Sequence, residues 1–423
     1  MVYHHGVYLT QGVAEKTRRL LDVLKTPRKA GWRLTTITRV ETIRSRADGS
    51  WLFVKIHTNQ PGLFGLGSAS DPFRCSVIEE AVKTVAPLLI GRDASRIEDI
   101  WQSVYTCCYW RNDSVFSTAQ SGIDQALWDL KGKEAGLPIY QLLGGKCRTA
   151  VQAYAHASGD SLAQLGDDVA RYLEEGYHVV RCQLGAYGGG GFLEGAFDDD
   201  TYLEKIPQMF EYLRNRFGLG PKLTHDVHEH LMPQNAVRLS KLLEPYRLYF
   251  LEDVLPPEQL PWYRQIRQQC TTPQAVGELF TNPNEFVPLI SERLIDFVRL
   301  RVSKAGGITN CRKVANLCEW FGVRTAWQEG ADNDPVNQMA SVHLDLASSS
   351  FGVQEENHFE EAELAVFEGV ARLEGGYLYA NEAPGLGMHL DEKAARGLLD
   401  PQLAKRSYFI AEDRRRDGEI LRP

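Results

Sequence analysis

The sequence has no basic surplus: 47 Lys and Arg stand against 55 Asp and Glu, a formal net charge of −8. Neutralising a phosphate backbone needs a basic face, so this balance argues against a nucleic-acid surface and leaves a small molecule as the expected partner. No apolar run approaches the ~20 residues of a membrane span. The opening MVYHHGVYLTQG lacks the charged start, apolar centre and small-residue cleavage site of a signal peptide. No CxxC pair occurs among the eight cysteines, Cys75, Cys107, Cys108, Cys147, Cys182, Cys270, Cys311 and Cys318, some of which fall inside predicted strands and helices as buried thiols do. A reducing, cytoplasmic setting is expected.

What the chain does contain is an ordinary globular composition, 43% hydrophobic and 24% charged, in 423 residues. Single cores stop growing at roughly 250–300 residues, so two domains are expected. Residues 1–30 form a polar, basic leading extension with one short helical stretch in TRRLLDVLK. RLTTITRVETIRS and SWLFVKIHT follow as β-rich segments separated by RADG, which reads as a hairpin. SVIEEAVKTVAPLLIG and STAQSGIDQALWDLKGKEAG read as helices, the second with Ile123, Ala126, Leu127 and Leu130 at helical spacing and closed by Gly136 and Pro138.

From about residue 150 a short apolar strand followed by an amphipathic helix recurs roughly every 25 residues. The strands are AVQAYAHA, YHVVRCQL, KLTHDVH, RLYFLEDV, QAVGELF, IDFVRLRV, VRTAWQE and FGVQEEN. Eight strands alternating with seven helices imply parallel strands with right-handed crossovers, a number that closes into a (β/α) barrel. An open doubly wound sheet is the competitor. Against it, no GxGxxG follows the first strand, and polar residues fall at the C-terminal ends of many strands rather than at one switch point.

Asp226 closes KLTHD, Glu252 closes LYFLE and Glu278 closes QAVGE, each 26 residues after the last. Equivalent places on neighbouring barrel strands lie side by side, so three carboxylates are expected to converge at the catalytic rim, where they repel unless a cation sits among them. Oxygen-only ligands suit a hard divalent ion, Mg2+ before Zn2+, although each acid alone could equally cap the following helix or pair with a basic neighbour. KLTHDVHEHL also holds His225, His228 and His230. If the strand runs on, Asp226, His228 and His230 share a face, a weak zinc pattern without the one-turn spacing of HExxH. His228 is better placed as a general acid or base, with a hydrogen-bonded rim histidine as the plain alternative. His225 faces the other way and is expected to be structural.

The motifs IDQALWDLKGKEAGLPIYQLLGGK, AYAHASG, VVRCQLG, HDVHEHL, EPYRLYFLEDVLPPE, TPQAVGELF, AGGIT, FGVQEEN and GYLYANEAPGLGMHLDE span nearly the whole chain. Together they resemble the mannonate dehydratase subgroup of the enolase superfamily, also called the D-galactonate dehydratase or starvation-sensing-protein family. The resemblance implies an α+β capping domain over 31–148, a (β/α)7β modified TIM barrel over 149–375 and a C-terminal segment, 376–423, returning to the cap. It implies Mg2+ on Asp226, Glu252 and Glu278, with His228 as the acid that protonates a departing hydroxide. His156, Arg299, Asp332 and Glu355 would hold the hydroxyls and carboxylate of an acid sugar. The implied reaction removes the proton α to a carboxylate and expels the β-hydroxyl, giving a 2-keto-3-deoxy acid. A homo-oligomer with neither a nucleic-acid nor a membrane partner is expected.

Three positions depart from the family pattern. Mannonate dehydratases pair an arginine on the second strand with a later tyrosine as base; Arg181 matches, but GAYGGGGFLEGAF offers only Tyr187, in a shortened glycine-rich loop that could act as a lid. The seventh strand carries Gln328 in place of a histidine, and glutamine binds a hydroxyl but relays no proton; a slip of one residue would put Glu329 there. Lys304 in RVSKAGG resembles the lysine of muconate-lactonising relatives and could serve as base if burial or Arg299 lowers its pKa, or simply form a salt bridge. Low or absent activity on D-mannonate and D-gluconate is therefore expected. The alternatives are a non-catalytic metabolite-binding member and a racemase or cycloisomerase using Lys304.

Overall fold

A computed structural model describes residues 34–423 apart from 108, 186–187, 331, 405–412 and 422–423. The leading extension 1–30 and Tyr187 lie outside the described residues. The RADG turn joins β1 (Ile37–Ser45) to β2 (Trp51–Thr58) as an antiparallel hairpin. A third strand, β3 (Phe64–Ser68), pairs with β2. The sequence does not announce it, because FGLGS has little β-branched content. Helices α1 (Cys75–Val85), α2 (Ile97–Cys107) and α3 (Ser114–Ala135) complete the cap.

The glycines of β3 have a packing reason: a Cβ on Gly65 would lie 1.8 Å from the Ala126 carbonyl of α3, and one on Gly67 2.2 Å from the Gly122 carbonyl. This close approach lets α3 side chains cover the sheet edge. The Leu66 N–H donates to Asp129 at 2.9 Å and the Ser68 N–H to Gln125 at 3.1 Å, satisfying amides that an open edge would expose.

The eight barrel strands are β4 (Val151–Gly159), β5 (Val179–Leu184), β6 (Lys222–Asp226), β7 (Phe250–Glu252), β8 (Gln274–Val276), β9 (Phe297–Val298), β10 (Arg324–Thr325) and β11 (Gln354–Glu355). Neighbours pair in parallel in chain order, β11 returns to β4, and a parallel bridge from Thr325 to Phe351 closes the ring. Seven helices fill the crossovers: α4 (Leu162–Glu174), α5 (Asp199–Phe217), α6 (Pro233–Leu242), α7 (Tyr263–Gln269), α8 (Pro283–Ser291), α9 (Gly307–Phe321) and α10 (Pro335–Ala347). This is the expected (β/α)7β barrel. Its strands are apolar because helices cover the outside and side chains fill the inside. Tyr154, Val179, Phe250, Ala275, Phe297, Ala326 and Val353 form one buried cluster, with each residue on or beside a different strand. No described helix is long and apolar enough to cross a membrane.

The cap docks on the segments that follow β9 and β10. Trp101 Nε1 donates to the Gly306 carbonyl at 2.7 Å, Thr309 Oγ1 to Asp124 at 2.5 Å, and the Ser68 and Ser70 hydroxyls to Asp334 at 2.5 Å each. Among the described residues of the C-terminal segment, those between Glu382 and Asp400 meet the cap. The helix Glu392–Gly397 meets β1, where Ser45 Oγ donates to the Ala395 carbonyl at 2.7 Å. Tyr377–Tyr379 instead pairs antiparallel with the start of β4, and residues 413–421 lie on loops at the C-terminal end of the barrel.

Candidate metal and active site

Barrel register explains which strand residues meet. His156 on β4 is the partner of Arg181 on β5, and Asp226 ending β6 is the partner of Glu252 ending β7. Glu278 departs from this scheme: Glu252 pairs with Ala275, three residues earlier, and the chain leaves β8 at Val276 through Gly277, whose φ is +138°. The equal spacing in the sequence therefore marks two register-matched acids and one that reaches them from a loop.

Arg299, fully buried just past β9, is forked between Glu252 (Nε to Oε1, 2.5 Å) and Glu355 (Nη2 to Oε2, 2.7 Å), with a bond to the Ala326 carbonyl at 3.3 Å. Glu355 also receives His156 Nε2 at 2.8 Å and the Glu329 N–H at 2.8 Å, with Arg181 Nη1 at 3.7 Å. Burial alone would push its carboxyl up, but Arg299, His156 and Arg181 outweigh burial and hold it well below the usual carboxylate range. Arg181 Nη1 bonds Asp226 Oδ2 at 3.1 Å, and its Nη2 meets His156 Nδ1 at 3.3 Å. Both nitrogens of His156 are thus engaged, and burial with the Arg181 charge lowers its pKa. This ring is built to orient rather than to take a proton.

The remaining acids behave oppositely. Burial, reinforced by mutual repulsion, pushes the carboxyls of Glu229, Glu252, Asp253 and Glu278 up. Glu229 Oε2, Glu252 Oε2 and Asp253 Oδ2 are buried without a hydrogen-bond donor. Ligand atoms of Glu252, Asp253 and Glu278 lie within 4.8 Å of one another, as do those of His228, Glu229 and Glu278. A buried, oxygen-rich cluster short of donors fits a hard divalent cation. Asp226, grouped with Glu252 and Glu278 by the sequence, falls in neither tight set, because Arg181 and the His228 N–H (2.9 Å) hold its oxygens. Asp253 and Glu229 are additions that spacing could not single out, although they stand in LYFLEDV and HDVHEHL.

β6 ends at Asp226, so the expected common face of Asp226, His228 and His230 does not form. His228 and Glu229 instead take left-handed backbone, with φ +53° and +57°. This turn brings His228 Nε2 to 3.4 Å from Glu278 Oε1. His230 Nδ1 meets the Val227 carbonyl at 3.0 Å and its ring lies against Phe197, so the three do not assemble as a zinc trio. His225 is fully buried between Tyr202 Oη (2.7 Å) and the Cys182 carbonyl (2.8 Å), and burial pushes its pKa down to about 4.

Gln328 and Asp332 are gathered by Arg301, a residue that the sequence did not single out. Its Nε bonds Gln328 Oε1 at 2.5 Å, and Nη1 and Nη2 meet the Asp332 carboxylate at 2.5 and 2.9 Å. The available signal was the second arginine of FVRLRV, one strand period after Arg299. Lys304 joins none of the carboxylate groups above: it is buried in an ion pair with Asp71 of the cap, and burial lowers its pKa although Asp71 acts against this. Glu329 is held by α10, accepting from Ser341 Oγ at 2.5 Å and Asn337 Nδ2 at 3.2 Å.

Two family models match the chain. The mandelate racemase / muconate lactonizing enzyme N-terminal domain covers residues 32–144, and the enolase C-terminal domain-like family covers 164–394. A D-galactonate dehydratase family member of Paenibacillus sp. (strain JDR-2) is 55% identical over 92% of this chain and 100% of its own length. Another, from Pantoea ananatis (strain LMG 20103), is 44% identical over 85% and 93% respectively. Among solved structures, an enolase from Pantoea ananatis with bound D-gluconate and Mg matches with a TM-score of 0.87 and 42% identity, covering 92% of this chain and 100% of that one.

Proposed function

The chain belongs to the enolase superfamily and, within it, to the D-galactonate dehydratase family, and on that premise we propose that it is a Mg2+-dependent acid-sugar dehydratase. It removes the proton α to a carboxylate, expels the β-hydroxyl and releases a 2-keto-3-deoxy acid. The observation that carries this reading is the set of buried carboxylate oxygens without donors beside His228 at the C-terminal rim of the barrel.

Glu252 and Glu278, which belong to the tight carboxylate sets, and Asp226, in register with Glu252, would hold the metal. When bound, the ion supplies Lewis-acid stabilisation of charge growing on the substrate carboxylate. The other tasks fall to side chains. Arg299 neutralises Glu252 and keeps Glu355 ionised, and Glu355 in turn fixes His156 and Arg181, which face the substrate's oxygens. Arg301 holds Gln328 and Asp332 in place for hydroxyls further along the sugar chain. His228 protonates the departing hydroxide so that it leaves as water. We assign abstraction of the α-proton to Tyr187, since Lys304 is engaged by Asp71 and Glu329 by Ser341.

Turnover of D-mannonate and D-gluconate is expected to be low, because Gln328 stands where a proton relay would be and Arg301 holds it. The same observation favours a second reading, a metabolite-binding member without chemistry. Purified protein is incubated with Mg2+ and a panel of aldonic acids, and 2-keto-3-deoxy acid formation is measured. Product that disappears in Tyr187→Phe and His228→Asn supports the dehydratase. Thermal shifts with acid sugars and no product support the binder. Rapid D-mannonate turnover refutes the low-activity expectation.

A further inference from the structure

Residues 413–421 lie along the short hairpin Phe192–Leu193 and Ala196–Phe197 that follows β5. The Phe197 N–H donates to the Arg414 carbonyl at 2.8 Å, and Phe197 forms a parallel bridge with Arg415. From there Arg415 reaches inward, its side chain 15% exposed. It ion-pairs with Asp199, donates through Nη2 to the His230 carbonyl at 2.6 Å, and sits 5.7 Å from the centre of the Phe197 ring. Asp199, at the start of α5, also accepts from the Met232 N–H at 3.1 Å and from Asn235 Nδ2 at 2.7 Å. One guanidinium therefore pins the chain just after the His228 turn at two points, the His230 carbonyl and the carboxylate that anchors the entry to α6.

That turn needs pinning. His228 and Glu229 are consecutive non-glycine residues with positive φ, a backbone that persists only where its surroundings over-determine it. On the near side, Asp226 Oδ1 holds the His228 N–H and the Asp253 carbonyl holds the Glu229 N–H at 2.7 Å. On the far side, the His230 ring is packed by Phe197, 5.4 Å between centroids, and by Gly188, where a Cβ would come within 3.0 Å of it. Arg415 is the group that ties this packing to the backbone.

We propose that Arg415 is a positioning residue: reaching in from the C-terminal segment, it locks the His228–Glu229 turn in the backbone that presents the His228 imidazole to Glu278. It touches no reacting atom and acts through His230 and Asp199. The catalytic consequence rests on the acid role given to His228 above; the locking itself does not.

The test compares full-length wild type with Arg415→Ala and Arg415→Lys. By hydrogen–deuterium exchange, peptides covering Val227–Leu231 are expected to exchange about tenfold faster in Arg415→Ala, with α9 peptides unchanged and Arg415→Lys intermediate. Wild-type protection at 227–231 overturns the proposal whether or not any acid sugar is turned over, and so does a loss of protection throughout the barrel. With a substrate in hand, kcat of Arg415→Ala falls about 10- to 100-fold while KM stays within about threefold, as for a misplaced reacting group. The limb of the pH–kcat profile that His228→Asn abolishes shifts as well, and Arg415→Lys restores part of kcat. Wild-type kcat in Arg415→Ala overturns the proposal. No product from the wild type on any acid sugar counts against the dehydratase reading alone, and the exchange experiment still decides the lock.

Discussion

Replacing Arg299 with methionine removes a charge from a pocket in which Glu252 and Glu355 remain behind. Deleting one partner of a buried ion pair costs about 3–5 kcal/mol, because the other charge is left without compensation. With about 2.1 cal/mol/K of unfolding entropy per residue, 423 residues give roughly 0.9 kcal/mol/K, so the melting temperature of the metal-free protein should fall by roughly 3–6 °C. The pH dependence is the sharper part. In the wild type the Glu355 carboxyl is depressed, so its stabilisation is fully present above the unfolded value of about 4.3 and is lost only as pH falls through the depressed folded value. Arg299 acts to lower both Glu355 and Glu252. Without it both carboxyls move up. The gap between wild type and Arg299→Met should therefore widen as pH rises from the depressed folded value of Glu355 toward the higher value it takes without Arg299. Thermal melts in EDTA across that range measure it. A gap that is constant, or that narrows as pH rises over that range, would refute the assignment of Arg299 as the group that lowers these acids.

Three further outcomes follow from the same geometry. Mg2+ at 100 times its Kd should stabilise the wild type by about 2.7 kcal/mol, and Glu278→Gln should reduce that thermal shift to near zero; a retained shift removes Glu278 from the ligand set. Asp71→Asn, which leaves Lys304 buried beside a neutral partner, should cost about 3–5 kcal/mol, and adding Lys304→Met should return about half of it; a double variant as unstable as Asp71→Asn alone argues against the ion pair as the source. His228→Asn should lower kcat on any turned-over acid sugar by about 10²–10⁴-fold while the Mg2+ shift persists; loss of the shift would make His228 a ligand rather than an acid.

The parts of this molecule legible in its sequence are those set by local periodicity. The recurrence of strand and helix gives the barrel, and register along β6 and β7 places Asp226 beside Glu252 as repeat counting expects. Counting fails where the chain leaves the strand. Gly277 turns it before Glu278, and the left-handed pair at 228–229 begins two residues past the end of β6, so neither position is fixed by alternation. Long-range partners are beyond pattern altogether: Lys304 meets Asp71 from 233 positions away, and Arg415 meets His230 from 185 away. Nothing local in RVSKAGG says whether its lysine faces a substrate or a cap.

The hardest thing to read from residue types is the division of labour among the acids. Glu355 meets Arg299, His156 and a backbone N–H at 2.7–2.8 Å, with the Arg181 charge at 3.7 Å, and sits well below the usual carboxylate range. Glu252, in the same pocket and bound to the same arginine, keeps an oxygen without a donor and is pushed up. Glu355, its oxygens taken by protein groups, is suited to holding other side chains still. A carboxylate that lacks donors and repels its neighbours gains most from a cation. The contrast between Glu355 and Glu252 therefore separates an orienting acid from a metal-holding one, and it comes from the partners each carboxylate meets, Arg299 lying between the two.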